Sequence, residues 1–117
     1  MSENQVRKMR TRCYYTDYVN HAVRFYLSTP DTLHMEGKRK ADMENWIAVR
    51  SVYHILKPEE KQVLTEVYKA HHRLPEGVRI YCEKTEPDEE KRKVLEKRTW
   101  ILVTKFCAAV AKKRGLV

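Results

Sequence analysis

The chain has 117 residues, 42% of them hydrophobic and 34% charged, with three glycines and four prolines; it is large enough for one hydrophobic core and too poor in turn residues for a β sandwich or barrel. Its 24 lysines and arginines against 16 acidic residues leave a formal charge of +8, which points to an anionic partner, nucleic acid first and an anionic membrane surface second, with solubilising lysine as the plain alternative. No segment approaches the roughly 18 continuous apolar residues of a membrane span, the first residues lack a signal-peptide core, and Cys13, Cys82 and Cys107 share no disulfide, zinc or redox spacing.

The expected place is therefore the reducing cytoplasm, without a membrane partner. The predicted class is all-α: a small bundle of about five helices in a single domain over 1–117, with a long, largely buried C-terminal helix.

Residues 1–29 read as an N-terminal helix with a basic start, Arg7, Lys8, Arg10 and Arg12 against Glu3. Ser2 followed by Gln5 has the form of a capping box. From Tyr15 the apolar residues Tyr18, Val19, Ala22, Val23, Phe25 and Tyr26 recur at three and four residues, as on one buried helical face, and Pro30 ends the run. Aromatic residues near arginines could stack bases, but at helical spacing they more often belong to a core. Residues 30–42, with Gly37 and the triplet Lys38-Arg39-Lys40, read as a linker.

Residues 43–114 form the predicted helical core. Its first helix carries Trp46, Ile47, Val49, Val52, Tyr53 and Leu56 and is opened by Asp42 or Asn45. Proline followed by acid then recurs three times, at Pro58-Glu59-Glu60, Pro75-Glu76 and Pro87-Asp88-Glu89-Glu90, marking helix starts near 58, 75 and 87. Proline suits the first helical position, where its missing N–H has no partner, and acids suit the positive end of the helix dipole. The last helix has a charged first half and, from Trp100 to Ala111, an apolar girdle with only Thr104 and Lys105 polar. Such a girdle predicts enclosure by other helices. Lys112-Lys113-Arg114-Gly115 supplies the stop, glycine taking the left-handed position beyond the end.

No catalytic or metal constellation emerges. His21, His34, His54, His71 and His72 include no ligand pair at zinc spacing, the serines and cysteines lack a nucleophile context, and no phosphate-binding glycine loop is present. The chain is therefore read as a non-enzyme that needs no cofactor. What remains is an amphipathic helix, a Leu-Pro-Glu-Gly turn, a short helix and a long one, which together have the form of a helix-turn-helix in residues 56–114. Residues 91–98 hold five cations against Glu96, a local +4 suited to phosphates.

The run Leu56-x-Pro58-Glu59-Glu60-x-x-Val63-Leu64-x-x-x-Tyr68, then Val78 with Cys82, and the tail from Trp100 through Ala111 to Val117 resemble the small sigma-factor-like regulators of phages and mobile elements of Gram-positive bacteria, the ArpU and RinA type. Tyr18-Val19-Asn20-His21 through Arg24-Phe25-Tyr26 is similar to the amino-terminal part of short proteins from such elements. The resemblance covers about half of the chain. It implies a transcriptional regulator with a helix-turn-helix like that of sigma region four, bound to double-stranded DNA, with RNA polymerase and a second copy of the chain as further partners it allows.

The expected nucleic-acid-binding residues are Lys84, Lys91, Arg92, Lys93, Lys97 and Arg98. One departure stands out: the last helix opens with four acids in residues 86–90, where a recognition helix would meet phosphates. The competing expectation is a helical interaction or self-association module without DNA.

Overall fold

In the computed structural model of the chain, residues 3–28, 40–69 and 73–116 are described, with side chains from residue 15 onward. They form five helices and no strand: α1 (Glu3–Ser28), α2 (Lys40–His54), α3 (Pro58–Lys69), α4 (Leu74–Thr85) and α5 (Glu89–Lys113). The all-α bundle of five helices agrees with the sequence expectation. Ser2, the linker residues 30–39 and the histidines 34, 71 and 72 lie outside the described residues, as do the side chains of the basic start at 7–12.

The described chain groups into two compact units, one of residues 1–50 with 107–117 and one of residues 51–106. In the first, Val19, Ala22 and Val23 of α1, Trp46, Ala48 and Val49 of α2, and Val110 and Ala111 of α5 are buried. Tyr26 tilts against Trp46 with ring centroids 5.3 Å apart, and the Arg50 guanidinium lies 5.4 Å from the Trp46 ring centroid. The Cys107 thiol donates to Asn20 Oδ1 at 3.4 Å, so both buried polar groups are satisfied.

Asn45, read from sequence as a helix opener, sits in the second turn of α2, buried at 7% exposure. Its amide donates to the Tyr18 hydroxyl at 2.9 Å and its Oδ1 accepts from Arg114 Nε, while Arg114 Nη1 reaches Glu44 Oε2 at 2.9 Å. These bonds hold the Tyr18 phenol below its ordinary pKa, Asn45 acting first and Arg114 second. Tyr18, expected on the buried face, is therefore exposed at its ring and held by its hydroxyl. Asn45→Ala removes the shared partner of two groups, and the expected loss is about 1–2 kcal/mol. A lower urea midpoint at unchanged m-value checks it.

In the second unit the helix starts follow from local chemistry. Glu60 Oε1 accepts from the Lys57 backbone N–H at 3.0 Å, one half of a capping box, and the first helical bond runs from Lys61 N–H to the Lys57 carbonyl, so α3 begins at Pro58. The helix start expected near 75 is present, α4 beginning at Leu74 with Pro75 near its start, while the Leu-Pro-Glu-Gly run also expected as a turn forms the first turn of that helix. Pro87 lies outside α5, because the first helical bond runs from Arg92 N–H to the Asp88 carbonyl at 2.8 Å.

Leu64, Val67 and Tyr68 of α3 pack with Leu74, Val78 and Cys82 of α4 in the core, with Val103 and Phe106 of α5 also buried. Gly77 brings two backbones together: a Cβ there would stand 2.2 Å from the Val67 carbonyl oxygen. Buried Thr99 donates to the Leu95 carbonyl at 2.8 Å and lies 3.8 Å from Cys82 Sγ, a thiol that burial pushes up in pKa.

Gly115 ends α5 at φ 74°, with Gly115 N–H on the Lys112 carbonyl and Leu116 N–H on that of Ala111. This is the double bond pattern of a Schellman stop, in the place the sequence assigned to glycine. The girdle expectation needs correction. Thr99, Val103, Phe106, Cys107, Val110 and Ala111 are buried along one stripe, whereas Trp100, Ile101, Thr104, Lys105 and Ala108 are exposed.

Candidate nucleic-acid interface

The cations expected to meet phosphates divide by their angular position on α5. At about 100° per residue, Lys91 and Arg98 are seven residues apart and drift by only about 20°, and Lys105 continues the row in steps of about 10.5 Å. All three are exposed. Lys93 and Lys97 form a second exposed row, separated from the first by Val94 and Ile101. Lys84 is exposed in the last turn of α4. Among the described residues none of these six cations stands within 4.0 Å of a carboxylate, the ion pairs being Arg79 with Glu83 and Arg114 with Glu44.

Arg92 is set apart. It is half-buried, and it donates Nε to the Glu86 carbonyl and Nη2 to the Pro87 carbonyl, each at 2.9 Å. Those bonds hold the link between α4 and α5, so its first task is structural. The acids of the link have local work too: Glu86 Oε1 accepts from the Asp88 N–H at 3.2 Å, and Glu89 and Glu90 occupy the first turn of α5. The outward side of α4 carries no net charge of its own at Arg79 and Glu83, which pair at 3.4 Å.

Lys105 was hidden by the apolar run around it, although its spacing from Lys91 and Arg98 was readable. Lys40, the last of the basic triplet, opens α2 and is exposed, while Lys38 and Arg39 lie outside the described residues. A shallow depression beside the cationic rows is lined by Lys97, Trp100, Ile101, Thr104 and Lys105.

Among the described residues no group of three or more His, Cys, Asp or Glu is placed to hold a metal ion. No helix among them is long and apolar enough to cross a membrane. The chain matches no family model, no curated protein and no solved structure.

Proposed function

We propose that the chain binds double-stranded DNA through residues 56–114, as a transcriptional regulator of the helix-turn-helix kind that resembles sigma region four. The observation that carries this reading is the row Lys91, Arg98 and Lys105, exposed and without carboxylate partners among the described residues, with Lys93 and Lys97 on the same helix. Cations held on a rigid helix at fixed spacing lose little freedom on meeting phosphates, and each contact releases condensed counterions. Close packing of α3 on α4 at Gly77 supports the reading, since a helix-turn-helix needs two short helices in near contact. The acids Glu89 and Glu90 at the head of α5 argue that its contact with the duplex begins after them, from Lys91 onward.

The test is a fluorescence titration of a labelled duplex at several salt concentrations. Four or five phosphate contacts predict a slope of log K against log salt of about −4. A slope near zero, or no binding at the lowest salt, removes the proposal and favours an interaction module without DNA.

A further inference from the structure

The apolar residues left in the open on α5 are unlike the rest of its surface. Val94 is 54% exposed, Trp100 37% and Ile101 46%, on a helix whose opposite stripe is fully packed. A tryptophan more than a third exposed beside an exposed isoleucine is the kind of group that interfaces use as an anchor, large and apolar at low conformational cost. Trp100 and Ile101 line one depression with Thr104, and Lys97 and Lys105 stand at its two ends. From residue 91 to residue 106 the one acid is Glu96, which is half-buried one turn before Trp100 and does not line the depression, whose own charges are the two lysines.

We infer that this depression is a docking site for an acidic amphipathic helix of a partner protein. The partner lies along α5 with an aliphatic side chain against Trp100 and Ile101 and carboxylates on Lys97 and Lys105. Those lysines are eight residues apart, about 12 Å along the axis, so the partner's carboxylates fall two turns apart on its own helix. Charge decides among occupants. A second copy would bring Lys97, Arg98 and Lys105 against the same cations, and like charges in a closing interface repel. A lipid surface wants a broad apolar face, whereas here three apolar side chains are interrupted by Thr104 and framed by lysines. A duplex would neutralise the lysines and leave Trp100 and Ile101 without a partner. The site goes beyond duplex binding and does not rest on it.

The experiment uses the full chain and a fluorescein-labelled synthetic helix of about 18 residues, with leucine and alanine on one face and glutamate elsewhere. A second peptide has lysine in place of each glutamate. The acidic peptide binds, shifts the emission of Trp100 to the blue, and loses about thirtyfold in affinity against Trp100→Ala. Ile101→Glu, at a more exposed position, also loses binding and keeps the result readable if the tryptophan change disturbs folding. Lys97→Glu with Lys105→Glu abolishes binding, and the lysine peptide does not bind at any stage. Trp100→Ala keeps its helicity and its affinity for a labelled duplex, which separates the apolar anchor of this site from the phosphate row, with which it shares Lys97 and Lys105.

Four results would overturn the inference: equal binding of the acidic peptide by Trp100→Ala, equal binding of the lysine peptide, binding of anionic phosphatidylserine vesicles through Trp100 without binding of the peptide, or a self-association that Trp100→Ala removes.

Discussion

Gly77→Ala is expected to destabilise the protein by about 3 kcal/mol or more. Two effects of opposite sign compete at this position. Alanine is a better helix former than glycine by about 1 kcal/mol, so in an open helix the change would stabilise. Here the new Cβ would meet the Val67 carbonyl oxygen at 2.2 Å, and that oxygen belongs to a backbone inside α3 rather than to a side chain that can rotate away. Relief requires α3 and α4 to separate, which opens the contacts of Leu64, Val67 and Val78, all at most 1% exposed. The steric cost exceeds the propensity gain. At about 0.25 kcal/mol per degree for a chain of this size, the thermal midpoint should fall by roughly 10 °C or more. Calorimetry or a thermal circular-dichroism scan decides it, and an unchanged or raised midpoint would show that the helices can part at little cost.

That close approach was not legible in the sequence, and the reason is general to the misreadings in this chain. Local chemistry was readable: Pro58 with Glu60 starts a helix, Gly115 stops one, and apolar spacing places Val19, Val23, Trp46, Val49 and Leu64 in the core. Where one residue type serves two local roles, the pattern left the choice open. Pro87, read at the first helical position, stands before the helix, and Glu86 and Asp88 place it there by their bonds in the link. Asn45 could cap or pair, and the distant partners Tyr18 and Arg114 make it a buried hinge of hydrogen bonds.

The apolar stretch from Trp100 to Ala111 failed differently. Almost every position is apolar, so the run states a need for burial without marking which side is covered, and the exposed row of Val94 and Ile101 follows from the angular positions of the buried residues. The candidate site was half legible for the same reason: Lys91, Lys93, Lys97 and Arg98 are outward cations as read, whereas the role of Arg92 depends on carbonyls six and five residues earlier in the chain.

The largest functional effect is expected from Lys91→Glu, Lys93→Glu and Arg98→Glu together. If these side chains each neutralise one phosphate, their loss removes three counterion-release contributions. At 0.1 M salt that is about 2.7 decades of affinity, and the salt slope shallows by about 3. Each substitution exchanges a cation for an anion, which takes the formal charge from +8 to +2 and adds direct repulsion, so about 500-fold is a lower estimate. Folding should survive. All three positions are exposed and without ion-pair partners among the described residues, glutamate matches lysine and arginine in helix propensity, and acids near the head of α5 suit its dipole.

Arg92 is left out of the set because its bonds to the Glu86 and Pro87 carbonyls would mix a folding defect with a binding one. The measurement is duplex affinity against salt, with helicity monitored in parallel. Unchanged affinity and slope in a folded triple variant would move any phosphate binding to the cations at 7–12 and 38–40, or end the duplex reading of α5.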